Sequence, residues 1–268
     1  MNLLSKTNMN FINIKSGSKG NASLIFDDKT LILVDVGVNK KDLVDALKSI
    51  NKKIEDIDLI LLTHNHVDHI KGLRFVDETK IYCVNGIIEE TDEYHTLTLF
   101  EEFSLDDFTI IPLKTSHDVD ACSGFLFRHK ENDGNIVSLG YITDTGYLPF
   151  ETLHYLKDLE YYYFESNYDI YALITSSRPY DLKERILSYR GHLSNEQAAI
   201  YLSYLIGDKT ISIMLAHLSE ECNEPNIARN TFLAIISQSE LKINHSINLV
   251  LAKQRAMTVL PLKIEEEN

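Results

Sequence analysis

Residues 61–72 read LLTHNHVDHIKG and place His64, His66, Asp68 and His69 within six positions. The preceding run IDLILLT (57–63) is short, almost wholly apolar and rich in Leu and Ile, which predicts a buried strand that ends at the first histidine. Gly72 marks a break soon after. A strand-to-loop turn of this kind can aim all four side chains inward. His64 and His66, two residues apart, can share one ion, and Asp68 and His69 on the following turn reach a second ion about 3.5–4 Å away. Imidazole and carboxylate suit zinc, and also manganese or iron. The bland alternatives are a polar loop rich in histidine by chance and a closed structural site. A closed zinc site uses four ligands, often thiolates, and this cluster has none.

Outward from this stretch the chain alternates strand and helix patterns. FINIKS (11–16), ASLIFD (22–27) and TLILVD (30–35) read as strands, and in KKDLVDALKSI (40–50) Leu43, Val44, Leu47 and Ile50 form one helical stripe facing a sheet. Downstream, KIYCV (80–84), FTIIPLKT (108–115), SGFLFRH (123–129), NIVSLGYIT (135–143), EYYYFES (160–166) and TISIMLAH (210–217) predict further strands. In LSNEQAAIYLSYLIG (193–207), Ser194 and Gln197 fit a capping box, Ala198, Tyr201, Leu202 and Leu205 form a stripe, and Gly207 ends the helix. There is no solenoid repeat, flexible linker or low-complexity block, so a single domain over 9–255 is expected, with 1–8 and 256–268 as loose tails and Met9 as an alternative start.

Further ligand candidates stand where strands are predicted to end: His117 in LKTSHD, Asp144 in GYITDTG and His217 in IMLAHLS. A complete cage gives one ion His64, His66 and His117 and the other Asp68, His69 and His217, with Asp144 bridging and a water or hydroxide between the ions as nucleophile. Taken singly, His117 or His217 is more often a hydrogen-bonded structural histidine; the cluster is what changes their reading. Asp35, in LILVDVG, reads either as an acceptor for the free ring N–H of a ligand histidine or as a turn former before glycine. Glu165 in YYFESN and His192 in YRGHLSN can make a proton donor oriented by a carboxylate, although a histidine beside an N-cap serine is also a plain helix-entry residue. Just before it, SSRPYDLKERILSYRGH (176–192) carries Arg178, Lys183, Arg185 and Arg190, charges that either lie on a solvated helix face or hold a phosphate backbone.

Composition narrows the classes. The 268 residues are 44% apolar and 25% charged, as in folded soluble proteins. No run reaches the ~20 apolar residues of a membrane span and the N-terminus lacks a secretory signal pattern, so the protein is expected to be cytoplasmic, with no membrane partner. Cys83, Cys122 and Cys222 are odd in number and in no CxxC pair, against both a disulfide framework and a thiolate zinc site. A net charge of -14 excludes general adhesion to polyphosphate, so any contact with nucleic acid must be local, at bound metal for instance. The tyrosines, 14 in all and densest in EYYYF, read as strand and core residues rather than a base-stacking platform.

THNHVDH together with His117, Asp144 and His217 resembles the metallo-β-lactamase fold, an α/β four-layer αββα sandwich with a two-metal site, and the resemblance spans nearly the whole chain. SGSKGNAS, LVDVG, THNHVDHIKGL, TSHD, ITDTGY, FESN, KERILSYRGHLSNEQAA and LAHLS, in that order, resemble the YycJ (WalJ, VicX) metallo-hydrolases of Gram-positive bacteria. That resemblance implies the ligand roles above, two Zn²⁺ or Mn²⁺ ions, Asp68 as a catalytic residue, and a 5'-exonuclease activity on DNA. FES, GHLSNEQAA and LAHLS are also similar to motifs of tRNase Z enzymes, which implies that Glu165 and His192 protonate the leaving oxygen. The family often has ESNHD where this chain has ESNYD, which puts the role of position Tyr168 in doubt. SGSKGN is expected to make a tight turn beside the metals, with Ser18 and Asn21 near the scissile group, and Arg185 and Arg190 near the substrate. The resulting expectation is phosphodiester hydrolysis. The alternatives are a small-molecule metallo-hydrolase acting on a thioester, lactone or lactam, and a regulatory binder with structural metals.

Overall fold

A computed structural model describes residues 8–88, 94–239 and 245–262. Strands β1 (Asn10–Lys15), β2 (Ala22–Phe26), β3 (Leu31–Val34), β4 (Leu59–Leu62), β5 (Ile81–Val84) and β6 (His95–Leu97) lie side by side in chain order in one sheet. A second sheet holds β7 (Phe103–Leu105), β8 (Phe108–Lys114), β9 (Ser123–Lys130), β10 (Ile136–Ile142), β11 (Tyr161–Glu165), β12 (Ser212–Ala216) and β13 (Asn248–Leu251). The last strand, β14 (Thr258–Val259), returns to the first sheet beside β1. Each sheet begins antiparallel and turns parallel, from β3 to β6 in the first and from β10 to β13 in the second.

The apolar runs are continuous because both faces of these strands are covered. In β3 and β4, Ile32, Val34, Leu59 and Leu61 face the second sheet, while Leu31, Leu33, Ile60 and Leu62 pack under α1 (Lys40–Ser49). In β11, Tyr161 and Tyr163 point between the sheets, and Tyr162 and Phe164 point outward. That outer face is covered by α3 (Phe150–Tyr155), α6 (Asn195–Leu205) and α7 (Pro225–Gln238). The short α2 (Val67–Ile70), α4 (Ile170–Thr175) and α5 (Tyr180–Leu187) lie in the loops around the strand ends. The result is the α/β four-layer αββα sandwich. Among the described residues, no helix is long and apolar enough to cross a membrane.

Four local readings change. In α1 the buried positions are Leu43, Ala46 and Leu47 rather than Val44, so the covered stripe is rotated toward the small residue that lets the helix approach the sheet. Helix α6 has the Ser194–Gln197 capping box but ends at Ile206, which leaves the helical conformation one residue before Gly207. The region from 256 is no loose tail up to residue 262: β14 pairs with β1, and Leu260 and Leu262 are buried in the inter-sheet core, burial that a two-residue strand gains only from its partner. At the other end Asn8 donates its backbone N–H to Glu131 over 2.6 Å and Met9 is buried. The rest of both expected tails, 1–7 and 263–268, lies outside the described residues.

A buried polar tie joins the sheets far from the loops just named. Asp27, in the turn between β2 and β3, accepts the backbone N–H groups of Thr30 and Lys29 and stands 3.0 Å from His129 Nε2 on β9; His129 Nδ1 lies 2.8 Å from Glu131. Burial opposes the charge on Asp27, but the Thr30 N–H, the His129 ring and the Lys29 N–H together hold its pKa below 3.8. A carboxyl depressed in the folded state stabilises the fold above its unfolded pKa, and that contribution is lost as pH falls through the lower folded value. Urea midpoints measured from pH 6 down to pH 2 are therefore expected to fall steeply below about pH 4, and less steeply in Asp27→Asn, which starts less stable.

Candidate metal centre and catalytic pocket

The site stands at the carboxyl ends of the parallel strands, where open α/β sheets present their reactive groups. Asp35 follows β3, His64 follows β4, Asp144 follows β10, Glu165 closes β11 and His217 follows β12. Three of these chain ends turn with a left-handed backbone: φ is 58° at Asp35, 49° at Asp144 and 55° at His217. An L-residue loses about 1–2 kcal/mol in that region, a cost the surrounding structure must carry.

His66 caps α2, whose first turn carries Asp68 and His69 inward. The SGSKGN segment closes over this helix: Asn21 N–H donates to the Asp68 carbonyl (2.8 Å) and Gly37 N–H to that of Asn21 (2.8 Å). Space there is minimal, because a β-carbon on Gly37 would lie 1.6 Å from the Asp68 carbonyl oxygen and one on Gly20, at φ 153°, 2.1 Å from that of Gly37. Asn21 is buried, bonded to both backbone groups of Gly17 and 3.2 Å from the Asp68 carboxylate, so it braces the turn and Asp68; Ser18 is exposed on the pocket.

The imidazoles converge. His64 and His69 have ring centroids 4.0 Å apart, His64 and His117 5.0 Å, His66 and His117 4.9 Å. Four ligand-sized groups result among the described residues: His64 with His66 and His117, Asp68 with His69 and His217, His64 with His69 and Asp144, and Asp144 with Glu165, His192 and His217; Asp144 lies 3.3 Å from His69 Nε2, 3.4 Å from His217 Nε2 and 3.9 Å from His117 Nε2. The outer nitrogens are tied down. His69 Nδ1–H donates to Asp35 (2.7 Å), His117 Nδ1–H to the Gly191 carbonyl (3.0 Å) and His217 Nδ1–H to Glu165 (3.0 Å), which turns each Nε2 inward; there the Asn21 amide stands 2.8 Å from His69 Nε2 and His66 Nδ1 3.3 Å from His117 Nε2. Buried Nε2 atoms of His64 and His217 have no hydrogen-bond partner, a cost that a further ligand at each would remove. This donor set fits divalent metal.

The fields agree. Burial, reinforced by the His69 charge, puts His64 well below its ordinary pKa, and burial lowers His117 to about 4, so both rings are neutral donors. Burial also pushes His217 down, but Asp144 and Glu165 lift it to about 9. Asp144 is disfavoured as an anion by burial, yet the facing His217, His69 and His64 hold it well below the usual carboxylate range.

Glu165 connects the cluster to the pocket. Fully buried, its Oε1 accepts from His192 Nδ1 (2.7 Å) and His217 Nδ1, and its Oε2 accepts the backbone N–H groups of Thr145 (2.9 Å) and Leu193 (3.2 Å). His192 then lines a pocket of about 160 Å³ with Ser18, His117, Asn167, Arg178 and Arg185. The basic stretch divides. Arg185 pairs with Asp118, and Arg178 with Glu221 at 2.9 Å. Arg190 instead donates to the carbonyls of His117 and Val119, bracing the His117 loop, and Lys183 caps the last carbonyls of α4 through Ile174 and Ser176. Tyr168 is buried against Leu173, Ile186 and Cys222, and all three cysteines are free.

Two contributors were not read from the sequence. Asp118 lies 3.2 Å from His117 Nε2 and 3.5 Å from His66 Nε2, and the only hint was its place next to His117. Asn167 donates to the His217 carbonyl and lines the pocket; the YFESN run held it without distinguishing it.

The sequence pattern of the metallo-beta-lactamase superfamily matches residues 16–147. Exodeoxyribonuclease WalJ of Streptococcus pneumoniae serotype 2 (strain D39) is 31% identical over 245 residues, 86% of this chain and 89% of that protein. Exodeoxyribonuclease YycJ of Bacillus anthracis is 30% identical over 253 residues, 90% of this chain and 94% of that protein. Among solved structures, the metallo-beta-lactamase fold protein YhfI of Bacillus subtilis superposes with a TM-score of 0.68 at 18% identity, covering 95% of this chain and all of that one, a likeness of fold.

Proposed function

The chain belongs to the metallo-β-lactamase superfamily and, within it, to the family of WalJ and YycJ, and from that premise we propose that it is a divalent-metal-dependent phosphodiesterase that removes nucleotides from the 5' end of DNA. Fold alone does not choose among the chemistries of such a scaffold. The observation that carries the choice is Glu165, whose one carboxylate oxygen orients both His192 and His217, so that a proton donor stands in register with the metal cluster. A sugar alkoxide is a poor leaving group and gains from a positioned acid.

In this reading His64, His66 and His117 would hold one ion and Asp68, His69 and His217 the other, with Asp144 within reach of both groups; either Zn²⁺ or Mn²⁺ suits the donors. Two divalent ions there would activate water and neutralise charge developing on the phosphoryl oxygens. The protein's own groups do the rest. Asp35, Gly191 and Glu165 fix the ring orientation of His69, His117 and His217. Asn21 and the Gly20–Gly37 contact hold Asp68 in place. His192 protonates the departing sugar oxygen from the pocket side while Glu165 keeps its Nδ1 protonated, and Arg185 faces the phosphate backbone across the same pocket.

Purified protein with end-labelled DNA tests this directly. Nucleotide release is expected with Mn²⁺ or Zn²⁺, to vanish on chelation and to return when metal is restored. Absence of release under every metal, together with hydrolysis of a thioester or lactone, would transfer the site to small-molecule chemistry.

A further inference from the structure

Of the clustered imidazoles, His69, His117 and His217 each have Nδ1 fixed by an oxygen, from Asp35, Gly191 and Glu165. His66 stands at the edge of the cluster, its side chain 31% exposed, and its two nitrogens face different neighbours. Nδ1 lies 3.3 Å from His117 Nε2, and Nε2 lies 3.5 Å from Asp118 Oδ1. His117 Nε2 is a bare lone pair, because the hydrogen of that ring is committed to the Gly191 carbonyl. Two ring nitrogens this close need a proton or a cation between them. A cation shared there takes the His66 Nδ1 lone pair too, and the neutral ring then carries its hydrogen on Nε2, on the Asp118 side.

The carboxylate is set to receive that hydrogen. Asp118 Oδ1 is buried and has no hydrogen-bond partner, a cost that a donating His66 Nε2–H would remove. The present 3.5 Å exceeds an N–H···O bond by about 0.5 Å, a small turn of a part-exposed ring. Oδ1 also lies 3.2 Å from His117 Nε2, but Asp118 belongs to none of the four ligand-sized groups. Its Oδ2 is paired with Nε of Arg185 on α5. That contact is made by one of the five guanidinium N–H groups of a side chain that also lines the pocket. The backbone is fixed on both flanks, since Arg190 donates to the carbonyls of His117 and Val119 and Gly146 N–H to that of Ser116 (2.9 Å).

We propose that Asp118 is the positioning residue of His66: gripped by Arg185, it accepts the His66 Nε2–H and so aims Nδ1 at the ion shared with His64 and His117. This rests on the metal-dependent reading above. The chain Arg185–Asp118–His66 ties the helix that lines the pocket to one ion and not to the other.

The test strips the full-length protein of metal and titrates it with Zn²⁺ in competition with a chromophoric chelator. The wild type is expected to take two ions. Asp118→Asn keeps the shape, but its amide must turn a donor toward either Arg185 or His66. It is expected to weaken one ion about 10–100-fold and to leave the other unchanged. Arg185→Ala, which leaves the carboxylate without its holder, is expected to weaken the same ion by less, and Asp118→Glu to fall between Asn and wild type. Nucleotide release by Asp118→Asn is expected to be low at two equivalents of Mn²⁺ and to recover in excess metal, a rescue that a merely structural role would not give. Wild-type affinity for both ions in Asp118→Asn would overturn the proposal. So would loss of one ion even at saturating metal, the mark of a direct ligand, or equal weakening of both, the mark of a collapsed loop. Loss of the folded circular dichroism of metal-free Asp118→Asn, or Asp118→Glu binding no better than Asn, would overturn it as well. A wild type that binds no ion sinks the metal reading itself, and one that binds two ions without releasing nucleotide sinks the nuclease reading alone, with the titration still deciding Asp118.

Discussion

Asp144→Ala is expected to reduce metal-dependent turnover by about 10³-fold or more, the equivalent of several kcal/mol of lost transition-state stabilisation, and to lower bound metal per chain. This carboxylate is nearly fully buried and lies 3.3–3.9 Å from four imidazoles, those of His69, His217, His117 and His192. Its removal takes away the carboxylate that lies 3.3 Å from His69 Nε2 and 3.4 Å from His217 Nε2. Metal analysis by mass spectrometry and nucleotide release under saturating Mn²⁺ provide the two readouts. Full metal content with full activity in the variant would remove Asp144 from the centre. Asp144→Asn, which keeps the shape but not the charge, is expected to behave like Ala for turnover and to fold better.

His192→Ala is expected to cost about 10²–10⁴-fold in kcat for DNA with metal content unchanged, because general-acid assistance has that range and no ligand is lost. Glu165→Gln is expected to be worse. Its Oε1 serves His192 and His217 together and its Oε2 holds two backbone N–H groups, so an amide there turns a donor toward a donor in two of the four contacts. The variant should therefore lose both activity and some metal. A substrate with a nitrophenolate leaving group, which departs without a proton, separates the roles: His192→Ala is expected to retain most of its rate on it and Glu165→Gln is not. An equal loss on both substrates in His192→Ala would count against proton donation.

Much of this architecture could be read from residues. Strands buried on both faces announce themselves as unbroken Leu, Ile and Val runs, as in LILV and LILL, and ligand types at their ends are conspicuous because polar groups are rare there. The Ser194–Gln197 box was equally plain, since capping is a local interaction between near neighbours. What escaped depends on partners distant in sequence. Thr258–Val259 is a strand only because β1 lies alongside it, and its edge position buries Leu260 and Leu262 behind it. Arg190 looked like a phosphate ligand, but its fork is occupied by carbonyls of the His117 loop, 73 and 71 positions away. Asp118 was overlooked because a carboxylate next to a histidine has no periodicity, and its meaning arises from His66 and Arg185 arriving from other elements.

The left-handed turns at Asp35, Asp144 and His217 limit how this site can drift over generations. Among residues other than glycine, Asn, Asp and His visit that conformation most readily, so the backbone and the metal chemistry admit overlapping but unequal sets of side chains. Glycine or asparagine would relax the turn and discard the charge or the ring; glutamate or glutamine would keep an oxygen and resist the turn. A lineage that abandons catalysis is thus drawn toward glycine at these three ends, and a relative with glycine there would be a more stable fold that has lost its reaction.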